Sequence, residues 1–313
     1  MFPGVRAYAK IADSQLIANC PISRADIAAT KCIFGPNLGA LKGKTTKRTS
    51  IPVSGRIEGV PPSIMERHQR IVLAMDIMFV NKIPFLMTTW HGLHFGTSEN
   101  LSNRQVPSVA NAVKHMLQIY NCHGFRVTTI LADPEFEPLQ ETFGHIQFNL
   151  CAQDEHVPEI ECYICTVKVH TRSGYNSLPF KWIPRLMLIC LMGNTVFWLN
   201  AFPHAGGISD TLSPRYLLTG KHLDYCKHVW LEFGSYVQTH EEHTNDMLPR
   251  TIGTICLRPS GNEQGGHYFM SLMTGRHLLR DHWTELPMPH DAIARVGHLG
   301  HHQCMPKTLT FAD

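Results

Sequence analysis

Two adjacent apolar runs, separated by only two polar residues, constrain the fold of this chain most strongly. The runs "IVLAMDIMFV" (71–80) and "IPFLMTTW" (83–90) are joined by Asn81-Lys82, a connection short enough for an antiparallel hairpin. A third strand is predicted in "LHFGTSE" (93–99). The first run carries Asp76 in its middle. Taken alone, Asp76 is better explained as a buried aspartate satisfied by hydrogen bonds, or as one facing water.

A second carboxylate follows another apolar run, in "LADPEFEPL" (131–139). The preceding residues 125–131 are apolar and β-branched, so they predict an interior strand. Pro134 blocks continuation of that strand and suits the first position of a helix. Asp133 therefore stands at the C-terminal end of a strand, where open α/β sheets place their chemistry. If the two strands are neighbours, Asp76 and Asp133 repel each other unless a cation intervenes.

The order of the predicted elements indicates an α/β fold with a mixed sheet flanked by helices. After about residue 225 the pattern becomes that of short strands separated by Gly, Asn and Pro, which is typical of a small barrel or sandwich. The predicted helices span 106–120, 135–142, 158–172 and 186–202, and a further strand spans 146–150. We predict three regions: an N-terminal extension with a basic linker (1–63), an α/β core (64–225) and a small β-rich domain (226–313).

Composition excludes general disorder and gives no global nucleic-acid signature. Of the 313 residues, 43% are apolar and 17% charged, and the net charge is only +3. A basic surface must therefore be local, and residues 41–56 contain five Lys/Arg and no acid. This segment is either a solvated linker or a strap that contacts phosphates through Lys42, Lys44, Lys47 and Arg48. Scattered cysteines, no secretory signal and no convincing membrane span indicate an intracellular protein.

A third acidic cluster, "DEHVPEIE" (154–161), opens a predicted helix. Acids in a first turn interact favourably with the helix dipole, and this alone accounts for some of them. Two aspartates followed by a helical glutamate are nevertheless the set that binds two hard divalent ions. On a continuous helix, one stripe carries Glu161, Cys165, Lys168 and Arg172, so that basic residues follow the carboxylate toward successive phosphates.

At these residues the chain resembles the integrases of copia-type retrotransposons, within the retroviral-integrase group of RNase H-like polynucleotidyl transferases. The resemblance covers residues 18–290 and is carried by stretches such as "IFGPNLGALKGKTTKR", "MDIMFVNKIPFL", "LADPEFEPL", "DEHVPEIE", "SDTLSPRYLLTG" and "LRPSGNEQGG". It implies an RNase H-like mixed five-stranded sheet followed by a small SH3-like β barrel. It also implies that Asp76, Asp133 and Glu161 bind two Mg²⁺ (or Mn²⁺) ions.

The resemblance further implies the reaction, the partners and the location. Water cleaves donor DNA near its 3′ end, and the freed 3′-hydroxyl then attacks target DNA. The partners are double-stranded DNA and further copies of the chain. The protein is expected in a virus-like particle or the cytoplasm before import and then in the nucleus, with no membrane contact. The helical stripe and the charge of the basic segment predict that Lys168 and Arg172, with that segment, contact nucleic acid.

The chain also departs from the family pattern. Only 27 residues separate Asp133 from Glu161, which predicts a short intervening helix and leaves Glu155 as an alternative third ligand. No zinc is expected, because Cys20 and Cys32 lack paired histidines and Cys162 with Cys165 lacks a companion pair. Arginines usually stand at these last two positions in related polyproteins, so we hypothesise a degenerate copy of a longer polyprotein.

Three functional interpretations follow. The first is an active integrase that cuts and joins DNA. The second is a non-catalytic nucleic-acid-binding remnant that keeps the fold. The third, which the scattered ligands disfavour, is a structural protein that binds metal through cysteine and histidine.

Overall fold

The computed structural model of the chain describes residues 5–13, 21–46, 60, 62–152, 157–204, 207–242 and 247–312. The chain divides into two compact units, one formed by residues 1–53 and 227–296 and the other by residues 54–226 and 297–313. The predicted region boundaries at 63/64 and 225/226 stay predictions. We call the unit of residues 54–226 and 297–313 the core unit, and the unit of residues 1–53 and 227–296 the β unit.

The elements of the two units are as follows in chain order. The described helices are α1 (Val5–Asp13), α2 (Arg24–Phe34), α3 (Leu38–Lys44), α4 (Pro62–His68), α5 (Val106–Asn121), α6 (Pro158–Asn176), α7 (Arg185–Leu199), α8 (Pro214–Thr219) and α9 (His290–His302). The described strands are β1 (Arg70–Val80), β2 (Ile83–Trp90), β3 (Phe95–Asn100), β4 (Arg126–Ala132), β5 (Gln147–Leu150), β6 (Tyr236–His240), β7 (Thr251–Pro259), β8 (His267–Ser271), β9 (His277–Arg280), β10 (Trp283–Glu285) and β11 (Phe311–Ala312).

The core unit contains a mixed sheet with the order β3-β2-β1-β4-β5. The first three strands form an antiparallel meander, whereas β4 and β5 run parallel to β1. This is the strand arrangement of the RNase H-like fold, and the predicted mixed five-stranded sheet flanked by helices is confirmed. The short strand β11, which the sequence did not reveal, extends the sheet by pairing with Phe79 and Val80 at the end of β1.

The hairpin between β1 and β2 forms because both residues of its turn adopt the left-handed conformation. Asn81 has φ of 50° and Lys82 has φ of 65°, and the flanking Val80 and Ile83 are paired. Two left-handed residues match the right-handed twist of the flanking strands, and asparagine tolerates that conformation well. The predicted two-residue connection is confirmed.

The core of this unit lies between the sheet and α5. Helix α5 turns its buried residues, among them Val113, Met116 and Tyr120, toward the sheet. They pack in one cluster with buried strand residues such as Leu73 and Ile130. Strands β1 and β4 thus share one buried face that packs against α5. None of the described helices is long and apolar enough to cross a membrane.

The β unit contains a five-stranded antiparallel sheet with the order β10-β6-β7-β8-β9. The last strand thus lies beside the first, which is the order of strands in an SH3-like barrel. Helix α3 contacts this sheet, since the backbone N–H of Arg250 donates to the Lys42 carbonyl at 2.9 Å and its guanidinium donates to the Thr45 carbonyl at 3.1 Å. Part of the predicted basic linker is therefore an ordered helix of the β unit.

Candidate active site

Strand register brings Asp76 and Asp133 to the same level of the sheet. The parallel pairing of β1 with β4 matches Ala74 with Leu131. Each aspartate follows its paired residue by two positions, so both belong to the same level of adjacent strands, which lie about 4.8 Å apart. Because strand side chains repeat with a period of two, the two carboxylates project to the same face.

Helix α6 brings the third predicted carboxylate to the same place. It begins at Pro158 after an extended Val157, and its apolar stripe, made of Ile160, Ile164, Val167 and Thr171, is buried. Glu161 lies in the first turn beside that stripe and is exposed. A cavity of about 500 Å³ is lined by Asp76, Asp133 and Glu161 together. The structure therefore gathers the three carboxylates that the sequence singled out around one space.

Two cations and a fourth carboxylate line the same cavity. Lys168 and Cys165 extend the Glu161 stripe along α6 and both line the cavity. Arg104, from the loop between β3 and α5, forms an ion pair with Glu135 and lies over the Phe79 ring, 5.5 Å from its centroid. Sequence reasoning missed Arg104, because a single arginine in a loop carries no pattern. The sequence likewise predicted no role for Glu135.

The donor set of the cavity fits a hard divalent cation, although the side chains as they stand do not form a ligand cluster. Carboxylate oxygens are the ligands that Mg²⁺ prefers in proteins. Among the residues that the structure describes, no group of three or more His, Cys, Asp or Glu side chains is arranged to hold a metal ion. One Asp76 oxygen accepts a hydrogen bond from the backbone N–H of Ile77 at 2.6 Å.

The remaining predicted site residues lie elsewhere or outside the description. Arg172 lies on α6 with its guanidinium 4.8 Å from the centroid of the Phe311 ring, on strand β11. Lys42 and Lys44 are exposed in the last turn of α3, in the β unit. The roles of these three residues in nucleic-acid binding stay predictions. Lys47, Arg48 and Glu155 lie outside the described residues.

A second cavity lies on the other side of α6. Its volume is about 330 Å³, and α6 contributes Glu159, Cys162, Tyr163 and Thr166, at the spacing of one helical face. The opposite wall carries His91, His94 and His204, and the rings of His94 and His204 stack with centroids 3.9 Å apart. We call this the histidine cavity. The cavity lined by Asp76, Asp133 and Glu161 is called the acidic cavity.

Tyr163 anchors the histidine-cavity side of α6 to the sheet. An added Cβ at Gly96 would lie only 2.1 Å from the Tyr163 ring, so the ring packs directly on the bare β3 backbone. Among the described residues, the buried Tyr163 hydroxyl has no hydrogen-bond partner. Burial raises the pKa of Tyr163 well above its usual value, and burial followed by the nearby Tyr163 does the same to the pKa of Tyr120.

The similarity of this chain to known proteins is found among solved structures. No family model matches the chain, and no curated protein matches it. Among solved structures, this chain is similar to the catalytic core domain of BIV integrase in crystal form I. The alignment covers 47% of this chain and 92% of the BIV domain. The two share 13% sequence identity with a TM-score of 0.35.

Proposed function

We propose that this chain is a metal-dependent polynucleotidyl transferase of the integrase type, acting on double-stranded DNA. The observation that carries the proposal is the acidic cavity, where Asp76, Asp133 and Glu161 meet from β1, the end of β4 and the first turn of α6. Three carboxylates in one space repel one another, and a structure retains such an arrangement when a cation offsets the repulsion.

In this proposal the three carboxylates hold two Mg²⁺ (or Mn²⁺) ions. Two such ions, when bound, activate the attacking oxygen and stabilise the departing oxygen of an in-line displacement. The two aspartates are fixed by strand register, so they define the position of the reacting phosphodiester relative to the sheet. Lys168 lies two turns along α6 from Glu161 and offers its ammonium to a phosphate farther along the strand.

The proposed reaction has two steps. Water attacks a phosphodiester near the 3′ end of donor DNA, breaking the bond to the 3′ oxygen and releasing the end nucleotides. The freed 3′-hydroxyl then attacks a phosphodiester of target DNA, forming one P–O bond and breaking another, so no external energy source is required. The basic residues Lys42, Lys44, Lys47, Arg48, Lys168 and Arg172 would contact the DNA backbone. Self-association on two DNA ends and action in the nucleus belong to the same proposal.

The test is strand transfer by the full chain with a labelled donor duplex and Mg²⁺. Replacement of either aspartate, Asp76→Asn or Asp133→Asn, should lower the rate by about a hundredfold or more, because each removes a charged ligand without changing side-chain size. Glu137→Gln is the matched control, since Glu137 is an exposed acid on the turn that follows Asp133. Undiminished strand transfer in both aspartate variants would contradict the proposal.

A second candidate, a DNA-binding protein without catalysis, is favoured by one observation. Cys162 and Cys165 are exposed free thiols on α6, within the turn that follows Glu161. Neutral thiols there leave the helix with less positive charge for DNA than the arginines that we expect in related chains. Titration calorimetry with Mn²⁺ separates the candidates: heat lost in Asp76→Asn favours the enzyme, whereas DNA binding without any metal binding favours the second candidate.

A further inference from the structure

Arg104 is placed at the acidic cavity by two contacts that bear on its function. Its guanidinium pairs with Glu135 and lies over the Phe79 ring, and both Arg104 and Glu135 line the cavity. The three residues come from separate segments: the β3–α5 loop, the turn after β4 and the end of β1. A fold that gathers them beside Asp76 and Asp133 places a planar cation within the cavity wall.

The charge of the cavity suggests what Arg104 does there. Its lining includes four carboxylates, those of Asp76, Asp133, Glu135 and Glu161, against the two cations Arg104 and Lys168. Three of the carboxylates are assigned to metal ions by the proposed function. Glu135 is then left as the carboxylate that holds Arg104. A phosphate oxygen pair offers a guanidinium the same bidentate geometry that a carboxylate offers, so a phosphodiester in the cavity competes directly with Glu135.

Stability does not account for the ion pair. The side chains of Arg104 and Glu135 are 53% and 35% exposed. Exposed ion pairs contribute between about zero and 1 kcal/mol, because solvent screens the attraction and holding two long side chains costs entropy. The cation–π contact with Phe79, with the guanidinium carbon 5.5 Å from the ring centroid, restrains the guanidinium at the cavity.

We propose that Arg104 binds the reacting phosphodiester in the acidic cavity, and that Glu135 holds the guanidinium in place until DNA arrives. The inference rests on the proposed function for the identity of the phosphodiester. Arg104 is in this sense a substrate-binding residue, whereas Glu135 is a positioning residue that acts through it. Lys168 cannot replace Arg104, because an ammonium lacks the two parallel donors that grip a phosphate.

The experiment compares Arg104→Gln with Glu135→Gln in the full chain, since both variants break the same ion pair. Affinity for a fluorescent duplex is measured by anisotropy over a range of NaCl concentrations, and strand transfer is measured over a range of DNA concentrations. Arg104→Gln should weaken binding by about tenfold, raise KM for DNA in proportion and lower the salt slope by roughly one. Glu135→Gln should bind DNA as tightly as the parent chain, or more tightly.

Two further variants complete the design. Arg104→Lys keeps the charge and should recover the salt slope but only part of the affinity. Arg126→Gln removes an exposed arginine at the start of β4, the end of that strand opposite to Asp133, and should leave KM unchanged. Thermal unfolding of each variant checks that the fold is kept.

The outcomes separate this inference from the proposed function. Equal losses of affinity in Arg104→Gln and Glu135→Gln would mean that the ion pair is only structural, and would overturn the inference. The same holds if Arg104→Gln binds DNA and transfers strands like the parent chain. If the affinity pattern holds while neither the parent chain nor any variant shows metal-dependent strand transfer, the assignment of Arg104 to a DNA phosphate stands and the proposed catalysis fails. Absence of DNA binding in the parent chain overturns both.

Discussion

The two sides of helix α6 begin alike and end in different surroundings. Each side starts with a glutamate in the first turn, Glu159 on one and Glu161 on the other, and each carries an exposed cysteine. Glu161 lines the acidic cavity with two aspartates from the sheet, whereas Glu159 lines the histidine cavity with three imidazoles. The local sequence favours both glutamates equally through the helix dipole.

The difference between the two sides comes from the segments that face them. The acidic side faces β1, which carries Asp76, and the end of β4, which is followed by Asp133. The histidine side faces the end of β2 and the residues that follow it, where His91 and His94 lie. Several carboxylates around one cavity attract cations. A single carboxylate beside imidazoles can instead pair with a protonated imidazole. The chemistry of α6 is therefore set by tertiary neighbours.

The largest expected effect separates the two glutamates directly. Glu161→Gln should lower the strand-transfer rate by about a hundredfold or more, because it removes one of three anionic ligands. Glu159→Gln, the same change in the same helical turn, should leave the rate within about threefold of the parent chain. The measurement is strand transfer with Mg²⁺ under identical conditions. Equal losses in the two variants would show that the helix end as a whole, and not the Glu161 carboxylate, supports the reaction.

The sequence predicted those elements whose signal is local. The hairpin followed from Asn81 and Lys82 between two apolar runs, and α6 followed from Pro158 and the helical spacing after it. The sequence placed Asp76 and Asp133 together only on the condition that their strands are neighbours, and the resemblance added Glu161. The parallel pairing of β1 with β4 is a finding of the structure. The hydrophobic pattern and the order of the elements were therefore enough to predict an α/β core followed by a β-rich part.

Features that depend on contacts between residues far apart in the sequence could not be predicted from local patterns. Strand β11 has only two residues and is placed by Asn81, whose side chain accepts a hydrogen bond from the Thr310 backbone N–H at 2.8 Å across 229 positions. The Arg172 guanidinium lies 4.8 Å from the centroid of the Phe311 ring on β11, a contact that the Glu161 stripe did not predict. The role of Arg172 in phosphate binding stays a prediction. Arg104 and the histidine cavity were not predicted for the same reason, because no local sequence pattern indicates them.

The next largest effect concerns stability and acts on the histidine-cavity side alone. Gly96→Ala should lower the free energy of unfolding by about 2 to 3 kcal/mol, because its Cβ would overlap the buried Tyr163 ring. The amide of Asn200 bonds both the N–H and the carbonyl of Gly96, which prevents β3 from moving away. Urea denaturation measures the change. Gly144→Ala is the control, since a Cβ there meets nothing within 4 Å, and it should shift stability by less than about 0.5 kcal/mol.

The smallest expected effect concerns the Tyr163 hydroxyl. Tyr163→Phe should raise the free energy of unfolding by about 1 kcal/mol near neutral pH, because it removes a buried hydroxyl that lacks a partner. Tyr225→Phe, at a tyrosine that is 67% exposed, is the control and should change little. A less stable Tyr163→Phe variant would show that the hydroxyl makes a stabilising contact.

The pH dependence of stability gives the same residue a second, independent readout. Because burial raises the pKa of Tyr163, the unfolded chain loses this proton near pH 10.0 while the folded chain keeps it. Stability is therefore fully present below that pH and falls as the pH rises above it, by about 1.4 kcal/mol per pH unit for each such tyrosine. Tyr120 contributes in the same direction, so Tyr163→Phe should reduce the alkaline loss of stability without abolishing it. An unchanged slope would place the Tyr163 hydroxyl in water, and the anchoring of this side of α6 to the sheet would then have to rest on other contacts.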